Sequence, residues 1–158
     1  MELRELLGGT KRIVVCGIGN RIRGDDAFGV LVAEELGKLV KNPDVLVLNC
    51  GEVPESYTGK ITAFEPDLVL FIDAVDFSGE PGEIVVADPG GTVGDAVSTH
   101  SLPLRVLVDY LRLKTSATFV LIGCQPKVTG LFQEPTDLVL ERAKNLARTL
   151  ARLLNEGP

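Results

Sequence analysis

The stretch Ile13-Val14-Val15-Cys16-Gly17-Ile18-Gly19-Asn20-Arg21-Ile22-Arg23-Gly24-Asp25-Asp26 restricts the fold more than any other part of the chain. Three β-branched residues and a small cysteine make the kind of short apolar run that becomes a buried strand. Gly17 and Gly19 then allow a sharp backbone turn without a Cβ penalty. Beyond Gly24 the apolar residues fall at Phe28, Val32, Leu36 and Val40, which is helical spacing. A strand leading through a tight turn into a helix is half of a crossover unit, and the unit presents acid at the mouth of its turn.

The rest of the chain repeats the alternation. Met1 to Lys11 reads as a short amphipathic lead-in with Leu3, Leu6 and Leu7 on one side, and the first long helix ends near Lys41-Asn42-Pro43. Val45-Leu46-Val47-Leu48-Asn49 is a continuous run, as expected of a strand buried on both faces. Cys50-Gly51 ends it, and a short helical segment runs from Pro54 to about Phe64. Leu68 to Ala74 is the third strand and the most apolar stretch. A turn over 78–82 leads to a fourth strand, Glu83 to Ala87, a candidate edge. Asp88 to Thr99 is a loop rich in Gly and Asp, long enough to suggest function. Pro103 suits the first turn of a helix spanning about Leu102 to Leu113. Thr118 to Gly123 is the fifth strand and Glu134 to Leu154 a closing helix. The expected architecture is α/β: a three-layer fold with a mostly parallel, five-stranded twisted sheet and helices on both faces, in one domain over residues 1–158.

Composition narrows the partners. A net charge of -6 argues against nucleic acid or an anionic membrane, both of which need a basic face. Met1 to Gly9 is charged and lacks the apolar core of a secretory leader, and no apolar run reaches the length of a membrane span. Cys16, Cys50 and Cys124 are odd in number and far apart, which fits a reducing cytoplasm better than a disulfide framework.

Two phosphate-binding motifs are excluded at the first turn. After Gly17 and Gly19 the next glycine comes at position 24, too late for a dinucleotide fingerprint. Gly19 and Gly24 have the spacing of a P-loop, but Asp25-Asp26 stands where Lys and Ser/Thr would be needed. Carboxylates there repel phosphate, so the loop is built to receive a cation or nothing at all. One Asp is explained as a helix cap, aided by about 0.3–1 kcal/mol from the helix dipole. Asp25 fits that part, leaving Asp26 as the candidate ligand.

Ligands of parallel sheets bind beyond the carboxyl ends of the strands, where strand order reverses. If the first and third strands are neighbours, Asp26 and Asp73 face each other across that crevice. Two carboxylates about 4 Å apart repel by about 4 kcal/mol at an effective dielectric of about 20, so such a pair calls for a shared proton or a cation. The long loop delivers the sole histidine, His100, and a position before a helix favours the neutral imidazole that a metal ligand must be. Two oxygens and one nitrogen suit a borderline divalent ion such as nickel or zinc, with positions left open. The three cysteines, near the ends of expected strands, leave a Cys-His hydrolase or a Cys/His zinc site as rivals, although buried cysteines are more often small core fillers.

Taken together, Gly17-Ile18-Gly19-Asn20 with Gly24-Asp25-Asp26, Phe71-Ile72-Asp73-Ala74, Pro81-Gly82-Glu83-Ile84, Thr99-His100-Ser101-Leu102-Pro103-Leu104 and Gly123-Cys124-Gln125-Pro126 resemble the hydrogenase maturation endopeptidases. The resemblance implies a cytoplasmic, monomeric protease that removes a C-terminal extension from the large-subunit precursor of a nickel-iron hydrogenase once nickel is in place. It implies that Asp26, Asp73 and His100 contact the metal and carry the catalysis. Nickel would then be recognised in the substrate, with zinc or another divalent ion binding adventitiously. The chain departs from the pattern at Asn49, where related sequences often carry an acid. A zinc hydrolase with a permanent metal and a non-catalytic metal-binding chaperone for hydrogenase assembly are the alternatives.

Overall fold

The computed structural model describes residues 3–89, 97–98 and 104–158. In chain order the elements are α1 (Leu3–Leu7), β1 (Ile13–Ile18), α2 (Phe28–Leu39), β2 (Val45–Gly51), α3 (Thr58–Phe64), β3 (Leu68–Asp76), β4 (Ile84–Ala87), β5 (Val97–Ser98), α4 (Leu104–Arg112), β6 (Thr118–Cys124) and α5 (Asp137–Glu156). Single 3-10 turns over Gly24–Ala27 and Pro54–Tyr57 lead into α2 and α3.

The strands lie in the order β2-β1-β3-β6-β4. β1, β2, β3 and β6 are parallel, whereas β4 runs antiparallel to β6 at the edge. The five expected strands are therefore present, and β1 and β3 are neighbours in register, Ile13 opposite Leu68 and Gly17 opposite Ile72. Alternate residues of each strand feed two apolar cores. Val15, Leu70, Ile72 and Ile122 pack beneath α2 and α5 on one face, while Val14, Cys16, Val69 and Phe71 pack beneath α3 and α4 on the other. Burial on both faces is why these strands read as unbroken apolar runs. Among the described residues, no helix is long and apolar enough to cross a membrane.

Two strand assignments need correction. β3 does not stop at Ala74 but continues to Asp76, because Val75 and Asp76 pair with Ser98 and Val97 of β5. The segment read as a loop over 88–99 thus contains a short strand; within that loop, residues 90–96 and 99 lie outside the described residues. Of the helix expected over 102–113, α4 is the described part, and Leu102 and Pro103 lie outside.

The glycines of the first turn also work differently from the sequence expectation. Gly17 lies inside β1, and neither it nor Gly19 has the positive φ of a sharp turn. They matter because α2 sits directly on the sheet. A Cβ on Gly17 would lie 2.5 Å from Cβ of Ala33, and one on Gly29 would lie 2.7 Å from N of Ile18 and closer still to the carbonyl oxygens of Ile18 and Ile72. Only hydrogen at these positions lets the helix start so close to the ends of β1 and β3.

Candidate active site

The 3-10 turn that carries Asp26 packs against β3, the strand that carries Asp73. Gly29 anchors the first turn of α2 against Ile18 and against Ile72, the residue before Asp73. Asp73 lies opposite Gly123 in the β3–β6 ladder, just past the point where the β1–β3 pairing ends at Ile72. This is where the crossovers diverge: β1 connects through α2 on one face to β2, and β3 connects through α4 on the other face to β6. Asp26 is 3% exposed and Asp73 is 2% exposed. Carboxylates are almost never so buried unless something in the fold or the chemistry requires them. His100 lies outside the described residues, and among those described no group of three His, Cys, Asp or Glu side chains could hold a metal ion.

Asp25 proves not to cap its own helix. Neither the 3-10 turn nor α2 receives a side-chain cap at its N-terminus. The fully buried Asp25 carboxylate reaches across to the loop between β6 and α5. One oxygen accepts from the backbone N–H of Lys127 at 2.8 Å and of Val128 at 3.1 Å. The other accepts from the backbone N–H of Thr136 at 2.7 Å and from its hydroxyl at 2.9 Å. Backbone bonds complete the seam: Asp25 N donates to Val128 O at 2.7 Å and Gly24 N to Gln133 O at 2.9 Å. The cap assignment failed because these donors are more than a hundred residues away in sequence.

A second support lies on the far side of Asp73. Gln125, 7% exposed, accepts from the N–H groups of Phe77 at 2.9 Å and Gly79 at 3.0 Å through its amide oxygen. Its amide nitrogen donates to Asp76 at 3.1 Å. The Ser78 N–H and this Gln125 amide hold the Asp76 carboxyl below its usual range. Gln125 N also donates to Glu83 O and Gly82 N to Gln125 O, both at 2.9 Å. The Pro81-Gly82-Glu83-Ile84 and Gly123-Cys124-Gln125-Pro126 segments are therefore bonded to each other and fix the chain as it leaves β3. Nothing in the sequence singled out Gln125 for this part.

Asn49 is exposed in β2, with its side-chain oxygen accepting from Gly51 N at 3.2 Å. It lines a cleft of about 320 Å³ together with Gly19, Asn20, Arg21, Val30, Gly51 and Glu52. The cysteines are not gathered over one crevice. Cys16 and Cys50 lie in the core under α3 and α4, and Cys124 lies in the opposite core. All three are free and buried. A hydrogen bond that the Cys16 thiol donates to Cys50, together with burial, raises Cys16 well above its ordinary value, and burial pushes Cys124 up to about 12. Thiols raised in this way stay protonated at neutral pH, so neither Cys16 nor Cys124 is set up as a thiolate nucleophile.

Comparison with known proteins gives the family and the fold. Residues 30–152 match the family model described as hydrogenase maturation protease. Among curated relatives, the hydrogenase 3 maturation protease of Escherichia coli K12 is 29% identical, over 87% of either chain. Among solved structures, the crystal structure of a [NiFe] hydrogenase maturation protease HycI from Thermococcus kodakarensis KOD1 superposes with a TM-score of 0.91. That protein is 61% identical, over 96% of this chain and 97% of its own. The solution structure of an endopeptidase HycI from Escherichia coli gives a TM-score of 0.76 at 27% identity, over 89% of this chain and 90% of its own.

Proposed function

The chain belongs to the hydrogenase maturation proteases, which are endopeptidases, and from that premise we propose that it removes the C-terminal extension of a nickel-loaded [NiFe] hydrogenase large-subunit precursor. The observation that carries the proposal is the pair Asp26 and Asp73, each almost wholly buried, at the crevice between β1 and β3. What supports the reading is their place: ligands of parallel sheets bind beyond the carboxyl ends of the strands, where the strand order reverses, and β1 and β3 flank that point. The carboxylate oxygens suit a divalent ion, and nickel already seated in the precursor supplies one. Asp26 and Asp73, with His100, would recognise that ion, so that only a loaded precursor is cut. One of the two carboxylates would take the proton from the water that attacks the scissile peptide, a contribution of about 10²–10⁴-fold. The buried surroundings keep bulk water from competing for both carboxylates. The reaction is assigned to the cytoplasm, in keeping with three free cysteines, and to a single copy of the chain acting on a protein substrate.

The experiment is incubation with nickel-loaded precursor, read by mass spectrometry of the product C-terminus. The unaltered protein should trim the loaded precursor and leave the nickel-free form intact. Asp26→Asn, Asp73→Asn and His100→Ala should each lose at least about a hundredfold in rate. An Asp73→Asn variant that trims at the normal rate would overturn the assignment. An unaltered protein that binds the precursor without shortening it would point to a chaperone, and stoichiometric zinc retained without added metal would point to a permanent metal centre.

A further inference from the structure

We propose that the exposed apolar side chains of Ile22, Leu131 and Phe132, on two loops that also carry Arg21, Arg23 and Lys127, form the surface on which the protein substrate docks. The inference rests on the function proposed above and adds to it where the precursor is gripped. Ile22 is 46%, Leu131 50% and Phe132 76% exposed. They lie on two loops, and the N–H of Phe132 donates to Ile22 O at 2.6 Å, which sets them side by side. The second loop is held firmly in this position. Asp25 ties both of its ends, Gly24 N bonds to Gln133 O, and the Gln133 side chain accepts from Gly130 N at 2.6 Å.

Phe132 itself has φ of 64°, the left-handed region that side chains other than Gly, Asn and Asp rarely adopt. The fold therefore holds an aromatic ring out in water, in an unfavourable backbone conformation, on a loop fixed by a buried carboxylate. The ring is 76% exposed, so packing among the described residues gives little return for that arrangement, and outliers of this kind cluster at ligand-binding surfaces. The patch is continuous with the candidate active site. Asp26 N donates to Arg23 O at 3.0 Å and Asn20 N to Asp26 O at 3.2 Å, so the loop bearing Ile22 also frames Asp26.

Charge defines the partner. Residues 20–23 and 127–133 contain three cations and no acid, in a chain whose net charge is -6. Arg21 also pairs with Glu34. A local basic rim around an apolar centre, on an otherwise acidic protein, suits a segment of the precursor that offers apolar side chains flanked by carboxylates.

The test compares unaltered protein with Phe132→Gly, Ile22→Ser and Lys127→Glu, reading affinity for the nickel-loaded precursor by titration and trimming by mass spectrometry. Phe132→Gly should weaken binding and raise KM by about tenfold or more, as truncating a central aromatic anchor does. The value of kcat should stay within about twofold, because uniform binding is what is lost. Lys127→Glu should raise KM and flatten its dependence on salt. Phe132→Gly should unfold at the same or a higher temperature, since glycine relieves the backbone, so lost binding cannot be misread as lost folding. Wild-type affinity and KM in both Phe132→Gly and Ile22→Ser would overturn the proposal. So would sedimentation of the unaltered protein as a dimer that Phe132→Gly disperses, because the patch would then serve a second copy. Should the unaltered protein bind the precursor without trimming it, the affinity losses would still read the docking surface while the proteolytic reading falls.

Discussion

Replacing Asp25 with Asn alters one atom of a buried carboxylate and nothing else in volume. All four of its observed partners are donors: the N–H groups of Lys127, Val128 and Thr136, and the Thr136 hydroxyl. An amide has only one acceptor oxygen. If that oxygen faces Lys127 and Val128, the new NH2 meets the Thr136 N–H, and only the hydroxyl can turn round to accept. The opposite flip strands two N–H groups instead of one, so the first should prevail. One orphaned N–H costs about 1–3 kcal/mol, and loss of the negative charge weakens the remaining bonds by about half. Relief of carboxylate desolvation offsets part of this, leaving a net loss of about 3 kcal/mol. For a chain of 158 residues that lowers Tm by about 9 °C. Thermal unfolding checks the magnitude, and amide exchange by NMR checks the mechanism: protection should fall at Lys127, Val128 and Thr136 before it falls in β3. Trimming of the precursor should also weaken, because the released loop carries Leu131 and Phe132. A Tm within about 2 °C of the unaltered protein, with unchanged exchange at those three amides, would refute the reasoning.

Gly29→Ala should destabilise by about 1–3 kcal/mol despite the better helix propensity of alanine, because the new methyl group meets backbone atoms of Ile18 and Ile72 that cannot rotate away; denaturant unfolding measures the loss, and trimming should fall with it as the turn bearing Asp26 is pushed off β3. None of the three cysteines should react with a disulfide reagent at pH 8 in the folded protein, while all three should react in denaturant, as counted by the released thiolate. Cys124, with its folded value pushed up from 9.0 to about 12, contributes stability that is complete below pH 9 and is lost as pH rises toward 12, so Cys124→Ser should flatten the alkaline fall in Tm. Asp76 works in the opposite sense: its contribution is present above the ordinary carboxylate range and fades as pH falls through its lowered value, and a Gln125→Ala variant should move its NMR titration upward.

The sheet was legible because its strands are buried on both faces, so each appears as an apolar run whose position needs no knowledge of its neighbours. β1, β2, β3 and β6 all begin within a residue or so of where those runs begin. What was not legible depends on partners distant in sequence. β3 runs on past its apolar residues only because β5 is there to pair with Val75 and Asp76. The capping assignment of Asp25 was reasonable from local rules, yet its donors lie 102 to 111 residues further along the chain. The glycines were read as turn formers when their function is to bring two elements into contact. Asp26 and Asp73 stand out in the sequence because each breaks a pattern in its own neighbourhood, an extra acid after a residue suited to capping and an acid in an apolar strand, and both are buried in the fold.

The two neighbouring aspartates divide one task between them. In a 3-10 turn successive side chains point about a third of a revolution apart, so Asp25 and Asp26 cannot serve the same partner. Asp25 turns outward to the β6–α5 loop and spends its charge on four donors. By doing so it fixes the rotation of the turn, and with it the direction in which Asp26 must leave the backbone. Gly29 sets the depth of the same turn against β1 and β3, and Gln125 fixes the exit of the strand that carries Asp73. Three distant tethers thus determine where two carboxylates stand. A substitution at any of the three should disturb the crevice without removing a single atom from it.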